Sequence, residues 1–250
     1  MEMKIALCIS GGLRNYKDTH YSVKHFLLDC NNVDIFYYGL ENKEGKEQNI
    51  KDFTELYNPK KIVINKNDFY DQIPCRYHIK SSFYGFYNVL KCNELKSNYE
   101  EENKFKYDFV IRVRPDYFWF RSITSDEFEA AKENVLTPER WSFKCVQPFA
   151  QSDIFAIGSS ELMDQYSSLF SKIDDYCNNF PFHPESLCGY HLKVNNIPSL
   201  EIKEHVLFEY PSVRTEFIIE PYKFIKYFPE PNIENTEDLV NYVSNMRRNF

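Results

Sequence analysis

The chain opens with a short apolar run, Lys4–Ser10 (KIALCIS), that breaks into Gly11-Gly12, the pattern of a buried strand entering a tight loop. Apolar positions then recur near helical spacing across Tyr16–Leu28, and Val33–Tyr38 (VDIFYY), β-branched and aromatic, predicts a second strand. The polar stretch Glu41–Asn49 predicts a surface loop and Ile50–Tyr57 a short helix, which Asn58-Pro59 stops ahead of a third strand at Lys61–Ile64. Ser81–Tyr99 carries the strongest helical pattern, with Phe83, Phe86, Tyr87, Leu90 and Leu95 close to one face, and a polar end at Asn98–Lys106. Tyr107–Val113 (YDFVIRV) follows as a central strand. Strands and helices alternate throughout this half, which predicts an α/β fold with a mostly parallel central sheet flanked by helices.

Beyond it the pattern is less regular. Ser125–Asn134 predicts a helix with Ser125 as N-cap, Asp153–Ile157 a strand ended by Gly158, and Ser159–Asp174 a helix capped by Ser159 or Ser160. His183-Pro184-Glu185 opens another helix running to about Val194. The aromatic, proline-rich Pro221–Pro231 predicts a strap before a last helix, Thr236–Arg248. No linker rich in Gly, Ser or Pro divides the chain, so a single domain over 1–250 is expected.

Composition narrows the function classes. With 43 % hydrophobic and 27 % charged residues the 250-residue chain is ordinary globular material. Its 22 Phe and 19 Tyr predict a ring-rich core and ring-rich pocket walls. A net charge of −7 leaves no whole-molecule positive field to hold a polyanion, so nucleic acid is not the expected partner. The seven cysteines contain no C-x-x-C pair, which argues for free thiols in a reducing compartment. No run approaches the roughly 20 apolar residues of a membrane span, and Ile5–Ile9 is too short for a signal sequence; a cytoplasmic protein without a transmembrane segment is expected.

The richest chemistry lies in Val110–Trp119 (VIRVRPDYFW). Strand parity puts Arg112, Arg114 and Asp116 on one side with Ile111 and Val113 on the other, and Pro115 ends the strand, so that Asp116 falls past the carboxyl edge where open α/β sheets bind ligands. Arg114 and Asp116 could form an ordinary ion pair; alternatively a diphosphate supplies the anion that two guanidiniums need. Ser10–Tyr16 (SGGLRNY) follows the first strand: Gly11 and Gly12 allow close backbone approach and Arg14 reaches toward a phosphate or sugar, although a tight turn with a surface Arg reads equally well. Asp34 could hold a ribose or base, or act as a buried turn partner. Asp153 begins a strand. Glu185 sits in a first helical turn, where the macrodipole is expected to lower its pKa, either as simple charge compensation or as a catalytic base. His183 reads as a packing residue.

Taken together, the GGLR loop, VDIF, NPKKIVI, YDFVIRVRPD, SDIFAIGSS and HPE resemble the GT-A-type glycosyltransferase-like proteins of bacterial surface-polysaccharide clusters and large DNA viruses, over roughly Lys4–Val194. That resemblance implies a GT-A-like fold with a nucleotide-binding half over 1–120, an acceptor-binding half over 121–220 and a C-terminal strap and helix over 221–250. It implies transfer of a sugar from a nucleotide-sugar donor to a glycan or other hydroxyl acceptor, with Gly11, Gly12, Arg14, Asp34, Arg112 and Arg114 on the donor, Asp153 facing a sugar and Glu185 as the base of an inverting displacement. Family members hold Mn²⁺ or Mg²⁺ with an Asp-x-Asp motif; here Arg114-Pro115-Asp116 keeps only the last carboxylate, so the resemblance implies metal binding through Asp116, or neutralisation of the diphosphate by Arg112 and Arg114. A sugar-nucleotide nucleotidyltransferase and a non-catalytic nucleotide- or glycan-binding module are the competing expectations.

Overall fold

The computed structural model describes residues 3–40, 46–66, 68–119, 121–138, 149–178, 182–202 and 207–209. The alternation of the first half is realised: β1 (Lys4–Gly12), α1 (Tyr16–Val23, continued as one π-helical turn at Lys24–Leu28), β2 (Asn32–Leu40), α2 (Lys46–Tyr57), β3 (Lys61–Asn65), α3 (Lys80–Asn103) and β4 (Phe109–Val113). Helix α2 begins inside the stretch expected as loop. There follow β5 (Tyr117–Trp119), α4 (Ser125–Ala131), β6 (Val135–Pro138), β7 (Phe155–Gly158), α5 (Ser160–Ser167), α6 (Ile173–Tyr176), α7 (Pro184–Val194), β8 (Ser199–Ile202) and β9 (Leu207–Glu209). The expected strap and final helix lie outside the described residues.

Seven strands form one sheet in the order β3-β2-β1-β4-β7-β6-β8, while β5 and β9 pair separately. Only β7 runs against its neighbours: it is antiparallel to both β4 and β6, and every other pairing in the large sheet is parallel. Alternate residues of each strand bury against opposite helix layers. Ile5, Leu7, Ile9, Ile111, Val113 and Phe155 pack with α1, α2 and α4. Ala6, Cys8, Val110 and Ala156 pack with α3, α5 and α7. Among the described residues no helix is long and apolar enough to cross a membrane.

Two caps differ from expectation or refine it. The N-cap of α4 is Thr124 rather than Ser125, because Thr124 and Glu127 form a capping box: the Glu127 amide donates to Thr124 Oγ1 at 3.3 Å and the Thr124 amide to the Glu127 carboxylate at 2.8 Å. For α5 the cap is Ser159. His183 caps α7, its Nδ1 accepting from the Ser186 amide, a capping role rather than the packing role expected of it.

Candidate functional site

From β1 the chain steps outward through β2 and β3, then returns to β4 on the other side of β1. Crossovers diverge at that point, so the carboxyl ends of β1 and β4 form the edge at which open α/β sheets hold ligands. The loop leaving β1 is shaped for close approach. Gly11 adopts φ 125°, a region that L side chains rarely enter, and its carbonyl accepts a 2.6 Å hydrogen bond from the buried Tyr37 hydroxyl. Gly39 stands beside it in the β1–β2 ladder, where a Cβ would overlap the Gly11 carbonyl. Gly39→Ala is therefore expected to push the loop off its ladder and to cost about 1–3 kcal/mol, as overpacking does, read as a lowered thermal midpoint. The β4 end is tied to the same corner, since Thr19 Oγ1 of α1 donates to the Pro115 carbonyl at 2.6 Å.

Arg14, Arg114 and Asp116 meet at this edge. Arg114 makes a two-point bond to Asp116, Nε to Oδ1 at 2.9 Å and a terminal nitrogen to Oδ2 at 2.6 Å, and Arg14 stands 3.8 Å from the same Oδ2. The Asp116 carboxylate is 1 % exposed, whereas Arg114 is 20 % and Arg14 42 % exposed. The Arg114 guanidinium lies over the Tyr117 ring, 5.1 Å from its centre, which fixes the plane of the fork. The two guanidiniums are thus more open to solvent than the carboxylate they flank.

Arg112 parts from this group. Strand parity holds as far as Val113, after which Pro115 and Asp116 form a turn, so the one-sided array of Arg112, Arg114 and Asp116 does not persist. The buried Arg112 side chain instead donates to the Asp153 carbonyl, and its Nε is buried without a partner. Asp153 precedes β7 rather than beginning it. Because β7 is antiparallel to β4, the segment before it reaches the same sheet edge as the end of β4. Helix α7 closes over that segment: the Gln151 amide donates to the Glu185 carbonyl at 3.0 Å, and a Cβ at Gly189 would overlap the Phe149 carbonyl.

Glu185 corrects the dipole expectation. Burial, then the nearby Asp153 carboxylate, push its carboxyl above the usual range; its own amide and His183, whose Nδ1 is 3.4 Å away, only partly offset them. Within reach of the same charges, burial and Asp153 carry the Cys188 thiol up to about 12, so it stays protonated and inert.

Asp34 is not brought to the site. It lies six residues before the end of β2, roughly 20 Å from the carboxyl edge at strand rise, and there it accepts from the Tyr107 hydroxyl at 2.7 Å and pairs with Lys60 at 3.3 Å. It ties the segments that lead into β4 and β3, which is neither the ligand contact nor the buried turn role expected of it. Nor do the donors around Asp116 fit a divalent ion: both of its oxygens are taken by Arg114, a second guanidinium adjoins, and among the described residues no group of three His, Cys, Asp or Glu side chains could hold a metal. Tyr37, Thr19 and Gly39 went unread in the sequence; only Gly39, a glycine inside a strand, carried a signal.

Residues 1–174 match the model of a family described as a domain of unknown function, DUF7796, and the chain belongs to that family. The matched span contains the Arg14–Asp116–Arg114 group and Asp153 and ends before Glu185. No curated protein matches the chain.

Proposed function

We propose that this protein is a glycosyltransferase of GT-A-like fold that moves a sugar from a nucleotide-diphosphate sugar to a hydroxyl of a glycan or other acceptor, with inversion. One observation carries the reading: a cationic group suited to a diphosphate and a carboxylate with raised proton affinity converge on the same edge of one sheet, the first after β1 and β4, the second before β7 and on α7. The acceptor hydroxyl attacks the anomeric carbon in line with the departing phosphate oxygen. The new carbon–oxygen bond forms as the old one breaks, the hydroxyl proton passes to Glu185, and the leaving charge is neutralised by Arg14 and Arg114. Arg112 holds the Asp153 segment through its backbone, and Asp153 both faces the sugar and keeps Glu185 basic.

A panel of nucleotide-sugars, each incubated with the protein with and without hydroxyl acceptors, tests this by release of nucleoside diphosphate. Release with one donor is expected. A parallel incubation with nucleoside triphosphate and sugar phosphate should yield no pyrophosphate; its appearance makes the protein a nucleotidyltransferase. Tight nucleotide-sugar binding with no turnover makes it a binding module.

A further inference from the structure

We propose that His191 is an acid-sensitive latch: as a neutral imidazole it docks the end of α7 on α5 and α6, and uptake of a second proton releases that end.

His191 sits in the last turn of α7 with 2 % of its surface exposed, and both ring nitrogens are engaged. Nε2 lies 2.9 Å from the Gln165 carbonyl in the last turn of α5; a carbonyl only accepts, so Nε2 carries the hydrogen. Nδ1 then holds a lone pair, and it faces donors: the Tyr176 hydroxyl of α6 at 2.9 Å and the Asn195 side-chain nitrogen at 3.1 Å. That nitrogen is oriented by the His191 carbonyl, to which it donates at 2.7 Å, and it donates also to the Tyr176 oxygen at 2.9 Å. Every hydrogen in the set has an acceptor while the imidazole is neutral. A proton on Nδ1 would point at the Asn195 amide hydrogens and at a Tyr176 oxygen already in use, so the hydroxyl must turn away and Asn195 must leave.

Charge works in the same direction. Burial holds the ring below the ordinary histidine value of 6.5; the Gln165 carbonyl opposes this and the Lys172 ammonium reinforces it. The carboxyl end of a helix favours a cation in general, but the other ions of the packed elements are engaged elsewhere. Asp164 of α5 holds Lys96, Asp174 of α6 pairs with Arg76 at 3.2 Å, Asp175 acts on the Tyr176 hydroxyl, and Lys193 of α7 lies over the Phe149 ring. The folded ring thus resists a proton that the unfolded chain accepts. Stability from the latch is complete above pH 6.5 and is lost as the pH falls from there toward the folded value. Release reaches further than one side chain, because Cys188 of α7 contacts the Ser152 carbonyl at 3.9 Å and Gly189 lies against the Phe149 carbonyl.

Urea unfolding between about pH 8 and about pH 5, the range in which histidine changes charge, compares the unaltered protein with His191→Gln, whose neutral amide can still donate to the Gln165 carbonyl. Below pH 6.5 the midpoint of the unaltered protein should fall more steeply than that of the variant. His20, also held low by burial, is common to both and cancels. Parallel curves overturn the proposal. NMR of the His191 ring in the unaltered protein should show the Nε2–H tautomer and a midpoint below that of an exposed histidine, and it decides the matter if the variant fails to fold. A doubly protonated ring at neutral pH overturns the latch. Hydrogen exchange, normalised to intrinsic rates, should show α7 amides opening at the acid end ahead of those of β1 and β4; acid opening spread evenly over sheet and helices overturns the release of α7.

Discussion

Lys96→Met is expected to lower the stability of the protein by about 3–5 kcal/mol, the cost of removing one partner from a buried ionic group. Lys96 is 0 % exposed on α3, and its ammonium donates to Asp164 at 2.7 Å, to Ser160 at 2.8 Å and to Glu100 at 3.2 Å. Glu100, equally buried, also accepts from Ser160 at 2.6 Å, from the Tyr107 amide at 2.9 Å and from Lys106 at 2.9 Å. With the ammonium gone, Lys106 alone faces two carboxylates, one of them out of water. Urea unfolding measures the loss; a change under about 1 kcal/mol would show that the carboxylates find other solvation. Adding Glu100→Gln and Asp164→Asn to the variant should restore part of it, since a neutral interior tolerates the missing charge.

The same group sets the acid limit. Burial works to raise the Glu100 and Asp164 carboxyls, but hydrogen bonds, from Ser160, Lys106 and the Tyr107 amide in the first case and Lys96, Asn93 and Ser97 in the second, overcome it and hold both below their ordinary values. Each titrates lower folded than unfolded. Their stabilisation is therefore complete above the unfolded values, near 4.5 and 3.8, and is lost as the pH falls through the folded ones. In Lys96→Met the acid transition should begin at higher pH than in the parent protein.

Glu185→Gln is expected to lower turnover roughly 10²- to 10⁴-fold, the range for a positioned general base, while donor affinity stays within a few-fold. In the proposed displacement the carboxylate, not the acid, takes the proton, so turnover should rise with pH through the elevated Glu185 value. Burial is the larger cause of that elevation and Asp153 the second. Asp153→Asn should thus move the rising limb to lower pH without returning it to that of a free carboxylate. A pH–rate profile gives the answer. A limb that stays in place in Asp153→Asn, or a Glu185→Gln variant with full turnover, removes Glu185 from the chemistry.

Much of the frame was legible because β-branched runs, glycine breaks and Asn58-Pro59 mark the strands and their ends without help from tertiary contacts. What escaped is instructive. The buried stripe of α3 runs through Phe83, Phe86, Val89, Cys92 and Asn93 to Lys96 and Glu100, and nothing in the pattern marks the last two as buried, because Asp164 and Ser160 on α5, which meet them, lie 60 or more residues on in the sequence. Short strands such as Val135–Pro138 take their form from neighbours rather than from their own pattern. At the site, parity placed Arg112 correctly opposite Ile111 and Val113, but it could not follow the chain past Pro115 into a turn. For Glu185 the helix terminus was visible and the burial beside Asp153 was not, so the sign of its shift came out reversed.

The strand order has a kinetic side as well. The central strand β4 pairs with β1, and the Lys4 amide bonds the Asp108 carboxylate across 104 residues of sequence. Loop closure on that scale must precede any reward from the β1–β4 contact, which places folding among the slower, non-local topologies. Arg14 and Arg114 reach each other only once that closure is made. Under the proposed function, recovery of nucleoside-diphosphate affinity during refolding should accordingly lag the return of helical signal, and the Arg14–Asp116–Arg114 corner becomes a late clock for assembly of the sheet.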